Sequence, residues 1–241
     1  MKLKYDFHLH SCLSPCGDND MTPYNLVNMA KLMGYDIIAL TDHNSCLNCP
    51  AAIKAGEEAG ITVVPGMELC TSEEIHTVCL FPTLEKALEF SEYVKTTMPP
   101  VMNDESIFGN QYIMDHTDKI LGKEEILLTT ASGISIDDVV KEVSRFDGVV
   151  FPAHLDRASY SVLSVLGFMY PEMNFTAAEF THKAYIPQYE EKHELLKEMK
   201  HFRNSDAHYL ENMVEASVEI DIPECSPQAV VDYIKNGKAE S

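Results

Sequence analysis

The amino-acid sequence predicts an α/β fold in which mainly parallel strands are wrapped by helices and close in a barrel-like way. Three observations predict it. Short apolar runs alternate with helical segments over the whole 241 residues, as repeated β-α units require. The glycine-rich phosphate loop of a dinucleotide-binding sheet is missing. No internal repeat or low-complexity linker divides the chain, so one domain over 1–241 is expected.

Residues 3–10 read as the first strand. "TPYNLVNMAKLMG" follows as a helix, with Thr22 as N-cap, Pro23 at the first helical position and Gly34 as stop. "YDIIALT" (35–41) is a continuous apolar run, as in a strand buried on both faces. "PAAIKAGEEAG" (50–60) is helical, "ITVVPGMEL" (61–69) is a buried strand and "IHTVCLF" (75–81) reads as its neighbour. "TLEKALEFSEYVKT" (83–96) is an amphipathic helix. Pro99 and Pro100 break the pattern, and residues 98–130 are expected to be a variable insertion or lid whose "NQYIMDHTDKILG" forms an outer helix. "SIDDVVKEVSRF" (135–146) reads as a helix and "GVVFPAH" (148–154) as a buried strand. Strands and helical segments then alternate through 174–181, 189–200 and 201–208. A last strand at 215–222 and a helix at 226–237 capped by Ser226 complete the reading.

With 45% hydrophobic and 23% charged residues the chain has the composition of a globular protein with a real core. Its net charge of −20 repels long phosphate backbones and argues against a long duplex nucleic acid as partner. A small anionic substrate stays compatible if bound cations supply local positive field. No apolar run is long enough to span a bilayer, and "MKLKYDF" lacks the core of a signal peptide, so a cytoplasmic protein without a membrane partner is expected. Seven cysteines, an odd number, fit reduced thiols.

The placement of the polar residues is the informative feature. His8 and His10 sit one residue apart at the end of the first strand, so both imidazoles share one face. Asp42 and His43 end the second strand, Glu68 the third, His154 the strand "VVFPAH", and Asp206 and His208 a later one. His76 opens the fourth after a short turn. In parallel β/α folds the carboxyl ends of the strands meet at one rim. Unpaired burial of so many ionisable groups would cost several kcal/mol apiece, and shared cations remove that cost. Histidine and carboxylate suit zinc, manganese or iron.

"DFHLHS", "ALTDHN", "PGMEL", "IHTVCLF", "PAH" and "NSDAH" resemble, in order, the motifs of the PHP (polymerase and histidinol phosphatase) domain. The resemblance implies a distorted (β/α)7 barrel with two to three divalent ions (Zn, Mn or Fe) at the strand ends, and metal-dependent phosphoester hydrolysis. It implies His8, His10, Glu68 and Asp206 as ligands of the first ions, Glu68 bridging two, and His154 at the second. His43, His76 and His208 complete the set, and Asp42, before a ligand histidine, takes an orienting role in catalysis. The family's further ligand after the first motif falls in the longer loop "CLSPCGDNDMTP", where Asp18 matches best and Asp20 next.

The chemistry such a centre supports is hydroxide attack on phosphorus, with His208 or His182 protonating the leaving oxygen. Arg157 and Arg203 lie near ligand motifs, where a guanidinium holds phosphate bidentately. A lid would offer Asn103, Tyr112 or His116. Cys12, Cys16, Cys46 and Cys49 follow the first two strands and would form an added metal site if the loops meet. The expected substrate is a small phosphorylated molecule, a nucleotide among the candidates. Exonuclease action on short oligonucleotides, amide hydrolysis and a non-catalytic metal-binding barrel are the alternatives.

Overall fold

The computed structural model describes residues 1–182 and 185–237. Strands β1 (Lys2–Leu9), β2 (Ile37–Leu40) and β3 (Thr62–Cys70) run parallel side by side. β4 (His76–Leu80) turns back antiparallel on β3, and β7 (Val149–Pro152) pairs antiparallel with β4. β8 (Ala177–Glu179) and β9 (Lys200–Phe202) form a parallel pair. Single contacts join that pair to the rest: Leu155 N–H donates to the Glu179 carbonyl at 2.8 Å, and Leu9 bridges in parallel to Ala207 beyond β9. The result is a curled α/β sheet of the distorted-barrel kind, in which β4 runs against its neighbours β3 and β7. A short strand, β10 (Glu219–Asp221), pairs antiparallel with the start of β1.

The reversal of β4 departs from uninterrupted β-α alternation, and its cause is local. Only Thr71–Ile75 separate β3 from β4, whereas a parallel crossover needs a dozen residues or more. The turn closes with Thr71 N–H donating to the Ile75 carbonyl at 2.8 Å. His76, the first residue of a reversed strand, therefore stands at the rim where its neighbours end.

Two apolar layers flank the strands. The outer one joins Leu40 and Met67 to helices α1 (Pro23–Leu32), α2 (Cys49–Ala59), α3 (Leu84–Thr97) and α5 (Val139–Ser144). The inner one gathers Phe7, Val64, Phe151 and Phe202 over Val230 and Ile234 of α8 (Pro227–Lys235). Each buried phenylalanine stabilises the fold by about 1.5–3 kcal/mol. Thr22, Thr83 and Ser226 accept backbone N–H groups from the first turns of α1, α3 and α8, as expected of caps. Among the described residues no helix is long and apolar enough to cross a membrane.

The insertion at 98–130 holds a one-turn helix α4 (Glu105–Phe108) and a hairpin, β5 (Tyr112–Met114) with β6 (Ile120–Lys123), where one outer helix was expected. Asp115 decides this: its carboxylate accepts the Thr117 and Lys119 N–H groups, and Asp118 adopts φ 65°, which turns the chain back. The helix expected over 189–200 is likewise divided. α7 (Ile186–Lys192) ends at an extended His193, and a 3-10 turn follows over Glu194–Glu198. The remaining helix, α6 (Val162–Leu166), lies between β7 and β8.

Candidate metal centre

Glu68 is the centre of the site. It ends β3 fully buried, with both carboxylate oxygens surrounded by imidazole nitrogens. Oε1 lies 2.9 Å from His76 Nδ1, 3.2 Å from His8 Nε2 and 3.3 Å from His154 Nε2. Oε2 lies 3.0 Å from His43 Nδ1 and 3.3 Å from His10 Nε2. Asp206 approaches from the other side, with Oδ1 3.3 Å from His8 and 3.2 Å from His10. His208 stacks on His10 with ring centroids 4.0 Å apart. Five strands and the segment beyond β9 thus deliver one polar cluster. Within β1 the outer layer takes Leu9, which leaves His8 and His10 together on the inner side.

The buried imidazoles and carboxylates of this cluster shift one another's titration. Burial disfavours the charged form of His8, yet Glu179, Asp206 and Glu68 more than offset it and hold its pKa well above the ordinary value. The same contest, burial against Asp206 and Glu68, leaves His10 at about 9. His43 is also raised to about 9, where Glu68 outweighs burial. Glu68 itself, which burial would raise, is held well below the usual range by His76, His8, His43 and His10. His208 goes the other way: burial and the neighbouring His10 push it down to about 3.

The residues fit a cation. Asp206 Oδ1 and the Nδ1 atoms of His43 and His154 are buried without a hydrogen-bond partner, which costs about 1–3 kcal/mol each unless an ion engages them. Three groups have ligand atoms mutually within 4.8 Å: His8, His10, Glu68 and Asp206; His43, Glu68 and His76; and His10, His43 and His208. Asp206 (φ 51°) and His154 (φ 31°), which lies outside these three groups but 3.3 Å from Glu68, hold left-handed backbone conformations, strain that tightly constrained sites retain. A cavity of about 130 Å³ opens over Glu68, His76 and His154.

Residues 6–222 match the PHP domain family. The chain belongs to that family. Its members are metal-dependent hydrolases of phosphoester bonds, and this PHP domain carries a His/Glu/Asp cluster able to hold the metals. Over 83 residues it is 37% identical to a 5'-3' exoribonuclease of Haemophilus influenzae, a match covering 33% of this chain and 29% of that protein. The aligned part is thus under two thirds of the relative's length. Endonuclease Q of Pyrococcus furiosus superposes with a TM-score of 0.66 at 17% identity, over 98% of this chain and 56% of the other. An endonuclease Q structure holding a 27-mer duplex gives 0.64 at 16% identity, over 98% of this chain and 57% of that one. A candidate metal-dependent phosphoesterase of Bifidobacterium adolescentis gives 0.60 at 17% identity, with coverage of 95% and 94%. At these identities the structural likeness concerns the fold.

Around the cluster, this PHP domain positions its ligands through buried hydrogen bonds. Glu179, which the sequence reading passed over, accepts from His8 Nδ1 at 2.9 Å, from His154 N–H at 3.1 Å and from the Asn204 amide at 2.7 Å. Its signal was present: "AAEF" ends an apolar run in a carboxylate just as "GMEL" does. Asp42 does not face the cluster's centre. It accepts the Ser11 and Ser14 hydroxyls at 2.6 and 2.7 Å, and Ser14 Oγ is 2.9 Å from His10 Nδ1. Through Ser14 it is linked to His10, the placement of a group that orients a ligand histidine.

Arg157 reaches Asp206 Oδ2 at 2.5 Å and stands on the wall of the cavity over Glu68. It also borders a cavity of about 500 Å³ lined by His182, Arg203 and Ser205. Arg203 donates to Ser217 Oγ, and exposed His182 is fixed through its N–H to Asp156. Neither contacts the cluster directly, so both stand beside the centre and not in it. The lid candidates are engaged elsewhere: Asn103 with the Gly109 carbonyl, His116 with Glu58, and Tyr112 under Lys123. Asp18 lies outside all three ligand groups, and its carboxylate accepts the Asp20 N–H at 2.8 Å. The four loop cysteines do not meet. Cys46 and Cys49 point together at the Gly66 carbonyl, while Cys12 lies 3.2 Å from Met114 Sδ and Cys16 is exposed. Burial pushes the Cys12 thiol up to about 12 and that of Cys46 well above its usual value, so neither is a ready thiolate ligand.

Proposed function

We propose that this PHP domain hydrolyses a phosphomonoester or phosphodiester of a small phosphorylated molecule, with a nucleotide as the leading class. The observation that carries the reading is Glu68, whose two oxygens lie 2.9–3.3 Å from five imidazoles beneath a cavity walled by Arg157. His8, His10, Glu68 and Asp206 would hold one ion, and Glu68 would share a second with His76, His43 and His154. The histidine group of His10, His43 and His208 would hold a third. When bound, such ions supply Lewis acidity towards phosphate oxygens and bring the pKa of water towards neutrality. Arg157 binds and orients the phosphate through paired N–H donors, sharing its charge with Asp206. Arg203, in the larger cavity, receives a further phosphate or carboxylate of the substrate. His182 is the group able to pass a proton to the leaving oxygen, and His208 could do so only where the third ion is not bound.

A second reading, exonuclease action on short oligonucleotides, has its own observation. A cavity of about 420 Å³ lies on the far side of Arg157, with Lys192 and His193 on its wall, so room and positive charge flank the centre on both sides. The exoribonuclease relative accords with it. The endonuclease Q complex belongs to a fold that accommodates a duplex, but a net charge of −20 disfavours long polyanions here.

The test is phosphate or nucleotide release from mononucleotides, sugar phosphates and oligonucleotides of increasing length, with Mn²⁺ or Zn²⁺ supplied. Turnover that peaks on monoesters supports the first reading, and turnover that grows with the first few nucleotides supports the second. Activity surviving in His10→Ala would sink the site for both. No turnover with any metal would leave a binding-only barrel.

A further inference from the structure

We propose that Tyr160 is a stacking platform for the base of a nucleotide substrate, the feature that sets nucleotides apart from sugar phosphates at this centre. The proposal rests on the phosphoesterase reading above and narrows its substrate class. The cavity over Glu68 measures about 130 Å³, well below the roughly 300–1,000 Å³ of pockets that enclose a whole small molecule. It has room for a phosphate group, and the rest of the substrate must lie against its rim. Tyr160 stands there, on the same wall as Arg157 and Ser159.

The ring is held like a site residue. It stacks on His76, which shares a ligand group with His43 and Glu68, with centroids 4.6 Å apart and planes 21° from parallel. Tyr160 is nonetheless 48% exposed, so the face turned away from His76 is open to solvent. Its backbone sits at φ 55°, a left-handed conformation that is an outlier for a bulky residue and persists only where the surroundings impose it. The Tyr160 carbonyl accepts the His76 N–H at 2.8 Å, and Arg157 N–H donates to the His154 carbonyl at 2.9 Å. Ser161 Oγ donates to the Arg157 carbonyl at 2.8 Å, and Ser161 and Ser164 cap α6 reciprocally, which fixes the exit of the loop. Segment 154–161 thus runs from one histidine beside Glu68 to contact with another, and it carries the guanidinium and the ring three residues apart.

The chemistry sets the ligand. Every base has a π face, so an open tyrosine face binds it without reading its edges. The phosphate enters the cavity beside Arg157, and the base lies on the ring that His76 already supports. A ring fixed before binding loses little freedom on binding, which favours the contact. The selectivity expected is for nucleotides over sugar phosphates, with tolerance of base identity.

The experiment compares binding of two phosphonates to the zinc-loaded full chain by calorimetry: the analogues of AMP and of ribose 5-phosphate in which carbon replaces the ester oxygen, so that binding is read without turnover. The wild type should hold the nucleotide analogue about 5–150-fold more tightly than the ribose one. Tyr160→Phe should keep that ratio, and Tyr160→Ala should bring it near one with zinc content unchanged by elemental analysis. A ratio near one in the wild type, a ratio that survives in Tyr160→Ala, or a wild type that binds neither analogue overturns the proposal. So does a Tyr160→Ala protein that loses an ion and weakens for both analogues alike, since the ring would then serve only to steady His76. Phosphate release from sugar phosphates and nucleotides, measured alongside, separates the two readings. Turnover with a binding ratio near one removes the platform and keeps the proposed function, and a Tyr160-dependent ratio without turnover does the reverse.

Discussion

Individual residues here have graded roles, and their substitution should sort them. Glu68→Gln removes charge from the oxygens that five histidines face, and it should lower metal content and abolish measurable turnover, checked by elemental analysis alongside phosphate release. Glu179→Gln leaves the ligands in place but weakens the orientation of His8. Metal affinity should drop about 10–100-fold, measured by competition with a chelating dye. The metal-free protein has a pH signature of its own. His10 and His43 are raised to about 9 in the folded state, so the stability they contribute is complete below the unfolded value near 6.5 and is lost as pH rises through 9. His208, near 3, stays neutral across that window. Thermal midpoints of the chelator-treated protein should therefore fall between pH 6.5 and 9, and saturating Zn²⁺ should flatten the profile. At this scale the sequence was readable wherever a polar side chain closes an apolar run. Glu179 escaped because a carboxylate behind the ligand histidines leaves the same mark as a helix cap, and the motif spacing that favours Asp18 says nothing of the loop's own hydrogen bonds.

Elements carry the site by where they stop. Helix α1 starts at Thr22, whose hydroxyl accepts the Asn25 N–H at 3.1 Å, so Thr22→Ala should cost about 1 kcal/mol in denaturant unfolding with no change in metal content. Gly66 is more constrained. An added methyl at β3 would come within 2.7 Å of the Cys79 carbonyl and 2.8 Å of Leu80, and Gly66→Ala should destabilise by about 1–3 kcal/mol while shifting Glu68 two residues on. Strands β1, β2, β3 and β7 and helices α1, α3 and α8 were legible in the sequence because apolar runs and hydroxyl caps mark them directly. The β5–β6 hairpin was not. "YIMDHTDKIL" has apolar residues at helical spacing, and the outcome was set by the Asp115 side chain capturing backbone groups that a helix would need.

At the level of the whole molecule, His8 of β1 meets Asp206 beyond β9, and an ion held at the rim would tie these two segments, almost two hundred residues apart. Metal at about 100 times its dissociation constant adds about 2.7 kcal/mol of stability, so chelation should lower the midpoint by about 5–10 °C in calorimetry. Glu68→Gln should show a smaller drop. The reversed β4 bears on how this assembly comes about. Glu68 and His76 sit eight residues apart on a single hairpin and meet at 2.9 Å, so their contact requires closure of only a short loop. His8 and Asp206 meet only when the ends of the chain have been brought together. One half of the centre can therefore form early, as a local nucleus, and the other half records the completion of folding. A tightly held ion is then a reporter of the finished chain: a nascent or truncated protein that stops short of Asp206 keeps the hairpin's two ligands but cannot close the site around its cargo.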